Sequence, residues 1–457
     1  MYLLIHPKHL KLFLIAVGFV WLGLLPKAEA VSPAPDGGYP GFTTAEGHNA
    51  LLHLTAGSGN TGIGWFSLKS VTAGSFNTAV GAGTLLANTA DNNTATGAGA
   101  LLANTTGVHN TANGVLSLAT NTAGGDNTAT GAFALQNNTT GEFNTAVGVD
   151  ALFFNTTGSS NTVAGVDALF HNTTGAGNSA FGSGALASNT NADGNTAVGY
   201  QVLLNNSTGV QNTAIGVSAL SSNTTGQNNT AAGDFALQSN TSDSNTAVGG
   251  QALQNNTTGG NNIALGFAAG TAVTTANNVI CVGSQGQNVS GACYIGNIFG
   301  ATSLGGIAVF VNGDGQLGTA TSSQRFKEQI EPMEQASEAL FGLKPVAFRY
   351  KKEIDPAGTS QFGLVAEDVE KVDPDLVVRD KEGKPFTVRY DAVNAMLLNE
   401  FLKEHRKVEE QESKIQQQDA RIAQQQKQID ALTAGLQKVS AHMDVRRPAL
   451  PTVVNNQ

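Results

Sequence analysis

Positive charge is almost missing from two thirds of this chain. Of its 457 residues, the stretch 31–321 holds one basic side chain, Lys69, and no arginine occurs before Arg325. With no basic stripe to neutralise phosphates, nucleic-acid binding is not expected. Charged residues make up only 13% of the whole, against roughly 25% in ordinary globular domains. That scarcity disfavours a conventional cytosolic enzyme core over most of the length. Histidine is sparse too: beyond residue 30 only His48, His53, His109, His171, His405 and His442 remain, and no pair has a recognisable metal-ligand spacing. No metal and no cofactor is therefore expected.

Cysteine is limited to Cys281 and Cys293. A bridge between them is permitted in an oxidising compartment. If Gly283 and Gly296 hold equivalent strand positions, however, Cys281 lies two residues before its glycine and Cys293 three before, so the two side chains point to opposite faces. The only long apolar run is Leu12–Leu25, shorter than the ~20 residues a spanning helix needs. With Lys8 and Lys11 before it, and Ala28 and Ala30 after it, residues 1–30 have the form of a secretory signal peptide. The expected mature chain has no membrane span and is secreted or held at the cell surface.

What the chain has in quantity is glycine, 55 residues, and a repeat. Asparagine followed four residues later by glycine recurs thirteen times from Asn60 to Asn262, in steps of 17 with two steps of 16. Leucine stands eight residues after the asparagine in every copy but the last, from Leu68 to Leu253. The unit reads Asn-Thr-Ala-Val-Gly-x-x-Ala-Leu-x-x-Asn-Thr-Thr-Gly-x-x, well seen from Asn144 to Ser160. Seventeen residues are too few for a helical pair and suit one turn of a parallel β-solenoid. Asn-Thr-Thr-Gly is expected to be the turn, with its glycine available for a positive φ. The Asn-x-Thr triplets match the glycosylation sequon but read as turn chemistry. Each coil is expected to bury a leucine, a valine-like residue and some alanines. That is little apolar area against the entropy of ordering the coil, so three chains packing their leucine faces together would supply the missing core. Asp150 and Asp167 hold equal places in adjacent coils, where stacked carboxylates could take a cation or simply face solvent.

These repeats resemble the head repeats of trimeric autotransporter adhesins, which implies a left-handed parallel β-roll, a homotrimer and an adhesive role. The chain ends differently from those adhesins, in Arg446-Arg447-Pro448-Ala449-Leu450-Pro451, without the ~10-residue alternating strands of a membrane barrel.

Past the coils the composition changes: residues 322–457 carry 20 basic and 22 acidic side chains. Gly305 to Phe310 is β-like, followed by a turn at Asn312-Gly313-Asp314-Gly315. Glu334 to Leu343 suggests a helix, Val346 to Tyr350 a strand, and Glu367 to Val372 a short helix stopped before Pro374. From Ala392 the pattern is a heptad. Phe401, Val408, Ile415, Ile422, Ile429 and Leu436 fall at position a, with Leu397, Glu404, Gln411, Gln418, Gln425, Leu432 and Val439 at d. Glutamines at d make a weak seam that fixes register, and three strands are preferred over two.

At the junction stands Thr321-Ser322-Ser323-Gln324-Arg325-Phe326-Lys327. A serine becomes a nucleophile when a base takes its proton, and a lysine can serve if desolvation favours its neutral form. By spacing alone such a pair is ordinary. The segment resembles the opening Ser-Asp-x-Arg-x-Lys of the intramolecular chaperone domain of phage endosialidase tailspikes, the peptidase S74 family. Ser322, Arg325 and Lys327 match, and Ser323 replaces the usual aspartate. Gly363-Leu364-Val365-Ala366-Glu367-Asp368-Val369 resembles a second segment of that family, and Tyr390 opens the last helix as it does there. The resemblance implies trimerisation, assisted folding of the preceding stalk, and self-release. In that scheme Ser322 is the nucleophile, Lys327 the general base and Thr321-Ser322 the cut bond.

The organisation expected is a mostly β chain: 1–30 signal peptide, 31–59 N-terminal segment, 60–296 solenoid, 297–321 junction, 322–420 small α+β chaperone domain, 391–443 overlapping coiled-coil helix and 444–457 tail. A self-assembling exported fibre is the leading function. A phage tail-fibre-like protein, or an ice- or glycan-binding repeat surface, are the alternatives.

Overall fold

A computed structural model describes residues 41–445. The expected leader and the chain from Arg446 onward lie outside the described residues. The chain divides into two compact units, one up to Thr302 and one from Ser303. Among the described residues no helix is long and apolar enough to cross a membrane.

The first unit is a parallel β-solenoid. Sixteen three-residue strands, β1 (Thr44–Glu46) to β16 (Cys293–Ile295), stack in sequence order into one sheet. Each pairs with the next in unbroken register, as in Thr145↔Thr162, Ala146↔Val163 and Val147↔Ala164. The first coil, Thr44–Glu46, precedes the thirteen asparagine-led copies. Main-chain bonds run from coil to coil around the whole circuit: Thr145 N donates to Asn161 O at 2.8 Å, and Leu152 N to Ala168 O at 3.0 Å. Every turn is thus a hydrogen-bonding template for the next.

The core differs from expectation in two ways. All twelve leucines from Leu68 to Leu253 are buried within a single chain, at most 1% exposed. They do not form a face for other chains, so the three-chain leucine core is incorrect. The valine-like residue also lies outside. In Thr145-Ala146-Val147 the middle alanine faces in and is fully buried while Val147 is exposed. The physical reason is room: a coil this small, already filled by leucine, takes a small residue opposite, most often alanine, and strand alternation sends the neighbour outward. In β8 the sequence reverses the two, and Val163 is buried beside Ala164. The leucine itself adopts a left-handed backbone, φ 52° at Leu152. That costs about 1–2 kcal/mol and is offset by burying the side chain, about 1.5–3 kcal/mol.

Two ladders of buried asparagine flank this core. In the first, Asn144 Oδ1 accepts from both Asn161 N at 3.0 Å and Asn161 Nδ2 at 3.1 Å. In the second, Asn155 Nδ2 donates to Asn138 Oδ1 at 2.8 Å and to Gly158 O at 2.9 Å. The second ladder corrects the reading of the turn glycine. Gly158 does not take a positive φ; a Cβ there would overlap Asn155 Oδ1 and Gly175 O. Glycine is needed for close approach, whereas positive φ falls on the glycine after the strand, 139° at Gly148. The asparagines of the Asn-Thr-Thr triplets at 104, 138, 155, 172, 223 and 256 are fully buried, which closes those sequons to sugar in the folded rod.

The two 16-residue steps fall in this same turn. Asn88 and Asn240 close on the carbonyl two residues ahead, Ala90 and Ser242, instead of three. Asp91 and Asp243 accept from Ser75 N and Gln227 N one coil back, as Asp193 does from Ala176 N in a full 17-residue coil. Strand register is untouched, with Thr78↔Thr94 and Thr230↔Thr246 still paired.

Cys281 is buried and Cys293 exposed, and both are free thiols. Cys281 pairs with Tyr294, not with Cys293, so the two side chains do face opposite ways. Burial first, and then the neighbouring Cys293, push the Cys281 thiol above its ordinary pKa.

In the second unit, β17 (Phe310–Val311) and β18 (Leu317–Gly318) form a hairpin. Asn312 Oδ1 organises its turn by accepting from Asp314 N and Gln316 N. The helix expected from Glu334 to Leu343 is present as a 3-10 helix, Glu334–Gly342. Then come β19 (Val346–Phe348) paired with β20 (Gln361–Gly363), helix α1 (Ala366–Val372), and β21 (Val377–Arg379) paired with β22 (Pro385–Val388). Helix α2 runs from Tyr390 to Val445. Val369, Leu376, Val377, Val388, Val393 and Met396 make the core.

The ladder predicts where the rod is brittle. Asn144→Ala orphans the Asn161 amide and should lower the opening free energy at that coil, read by hydrogen exchange, by about 1–3 kcal/mol. The outward Thr162→Ala should change it by under about 0.5 kcal/mol.

Candidate functional site

The junction sequence folds into a local reversal. Ser323 is extended, a single 3-10 turn spans Gln324–Phe326, and Lys327 is extended again. Phe326 N donates to Ser323 O at 3.0 Å, and Lys327 N to Gln324 O at 3.1 Å. The turn folds the chain back so that Lys327 Nζ donates to Ser322 Oγ at 3.1 Å. A hydroxyl and an amine at this separation can exchange a proton directly. Ser323 occupies the position before the turn and makes no side-chain capping bond. The Arg325 guanidinium sits over the Phe326 ring, 4.5 Å from its centroid, which holds the turn from outside. Ser322 and Lys327 are both exposed in the single chain. A lysine acts as a base in its neutral form, which desolvation favours. The geometry of the pair is present, and the covering that would activate it is not supplied by these residues.

Gly363 and Glu367 serve elsewhere in the unit. Gly363 pairs with Val346 at the end of β20. A Cβ there would stand 2.9 Å from Tyr390 Oη, which accepts from Leu364 N at 3.1 Å. This glycine therefore admits the tyrosine that opens α2. Glu367 lies in the first turn of α1, exposed, where a carboxylate complements the helix dipole. Thr321 is exposed beside Ser322. Asp150 and Asp167 both adopt left-handed φ in adjacent coils. Among the described residues no group of three or more His, Cys, Asp or Glu converges as metal ligands would.

One cluster is invisible in the sequence. Ser337, fully buried on the 3-10 helix, donates through Oγ to Glu400 Oε1 and accepts from Asn399 Nδ2 at 2.7 Å and Lys403 Nζ at 3.2 Å. Lys403 Nζ also meets Glu400 Oε1 at 2.6 Å. Asn399 Nδ2 donates further to Glu334 O at 3.0 Å. The one available signal was the 400/403 acid–base spacing at one helical turn. Its partner lies more than 60 residues away. The cluster fixes the 3-10 helix to the start of α2.

Residues 322–378 match the family model of peptidase S74, described as the chaperone of endosialidase. No curated protein and no solved structure matches the chain. The second unit therefore carries a domain of the endosialidase-chaperone type, and the match begins at the serine of the Ser322–Lys327 pair.

The Ser337 cluster sets an acid dependence. The hydrogen bond from Lys403, then that from Ser337, hold the Glu400 carboxyl below the usual glutamate range. A depressed folded-state pKa stabilises above the unfolded value, about 4.3, and this contribution is lost as pH falls through the folded value. Glu400→Gln should therefore flatten the loss of protection below about pH 4 in helix 390–403, followed by hydrogen exchange. An unchanged acid profile would contradict it.

Proposed function

We propose that this chain is an exported, trimeric fibre protein: a β-solenoid shaft whose C-terminal domain brings three copies together and then cuts itself free. The observation that carries the reading is the 3.1 Å contact between Lys327 and Ser322 at the first residue of the family match.

The step balances as follows. Lys327 Nζ takes the proton of Ser322 Oγ, and Oγ adds to the carbonyl carbon of Thr321. The Thr321–Ser322 C–N bond breaks as the departing nitrogen takes that proton back, leaving an ester between Thr321 and Ser322 Oγ. Water hydrolyses the ester, giving a Thr321 carboxylate and restoring the hydroxyl of Ser322, now a free N-terminus. Assembly supports this chemistry, because burying the exposed pair would favour the neutral lysine. Helix α2 supports the assembly: its position-a residues Phe401, Ile415, Ile422 and Ile429 are all more than half exposed in the single chain, as a coiled-coil seam without partners would be. Export and surface location follow from the reading of residues 1–30.

A second reading, binding to ice or glycans, has one observation in its favour. Thr94, Thr111 and Thr128 are exposed at the same position of successive coils, a regular hydroxyl array. A tail-fibre-like protein would share the shaft and chaperone; finding the chain outside the cytoplasm separates it from the exported fibre.

Intact mass of the purified chain, with and without Ser322→Ala, tests the leading reading. Two fragments meeting at Ser322 are expected in the wild type only, and Lys327→Met should also stay uncut. Light scattering should give three copies; a monomer rejects the assembly.

A further inference from the structure

The leucine core is complete within each chain, so a contact between shafts must use a different surface. Strand positions one and three face outward. At position three the residues from β7 (Thr145–Val147) to β16 are apolar in ten consecutive coils, and no charged residue stands at either outward position over that length. Val198, Ile215, Val248, Leu265 and Ile295 are 36–51% exposed there. The preceding coils break the stripe, carrying Thr96, Asn113 and Thr130 at position three. Toward the other end the apolar character widens: position one is threonine or serine through Thr246, then becomes Ile263 and Ile280, both exposed.

We propose that this outward sheet face, centred on the last coils, is where the shafts of neighbouring copies of this same chain meet. The inference rests on the three-copy reading above and adds which surface is used. Three observations select a second copy as the occupant. The apolar character grows toward the end of the shaft from which the chain continues into the endosialidase-chaperone-type domain. From Ile295 to Ser322, where the family match begins, is 27 residues, so copies joined through that domain are tethered at this end of their shafts. Finally, an uncharged face can meet its own copy without repulsion. Ten coils at ~4.8 Å, by a strand width of ~10 Å, offer roughly 480 Å², near the ~600 Å² per partner where specific interfaces begin. The seam of α2 adds to it.

Single-cysteine labelling of the full chain in a Cys281→Ala, Cys293→Ser background tests this. Leu265→Cys and Asn113→Cys place a thiol at the same outward position of two coils, with Ile263→Cys as a second variant inside the proposed contact. In particles of three copies, Leu265→Cys and Ile263→Cys should react with a thiol reagent at least ~10-fold slower than Asn113→Cys. Equal rates in a trimer overturn this inference and leave the assembly standing. A monomer overturns the assembly reading, and this one with it. Protection in a particle whose native mass includes a foreign chain overturns it in favour of that partner.

Discussion

The shaft depends on one bond repeated at every step: the side-chain oxygen of a coil's first asparagine accepting the backbone N–H of the asparagine one coil later. Because donor and acceptor belong to the same kind of residue, the bond can recur only if each circuit returns the chain to the same place. It fixes register, and with register every other contact. A circuit one residue short survives because its turn asparagine, Asn88 or Asn240, closes on the carbonyl two residues ahead and leaves the strand unmoved. Buried amides without such partners would each cost about 1–3 kcal/mol, so the ladder also sets the energetic penalty for losing the fold.

From this constraint follows the division of labour between chains. A ladder on each side leaves space for leucine and small residues only, and these complete a core without help. The surplus apolar residues are expelled to the outer face of the sheet. In the proposed assembly, association acts on an already folded surface. The C-terminal domain would then set the number and alignment of chains without having to finish their cores. Parallel stacking is slow to form and open to misregister, which is the problem an assembly domain addresses.

The C-terminal unit is built on opposite rules, with dense charge, a small mixed core and a long helix whose heptad-spaced apolar residues are exposed. Its Ser322–Lys327 contact forms within six consecutive residues, whereas the Ser337 cluster needs segments from the two ends of the domain. Local geometry of that kind was readable: Ser322, Lys327 and the opening of α2 at Tyr390 lie where the motif puts them. The 3-10 helix over 334–342 is held by polar contacts among Ser337, Asn399 and Glu334, a tertiary feature that no apolar spacing reports.

Period, register and solenoid class were determined by the sequence itself, because a 17-residue lattice permits few structures other than stacked coils. The same lattice could not say which neighbour of an alternating pair faces inward, or whether a glycine serves φ or close approach. Those choices turn on the volume left inside a coil and on the distance to the coil above, quantities that exist only once the circuit has closed. Likewise the spacing of Ser322 and Lys327 allows their contact, while the water around them is a property of the surrounding fold.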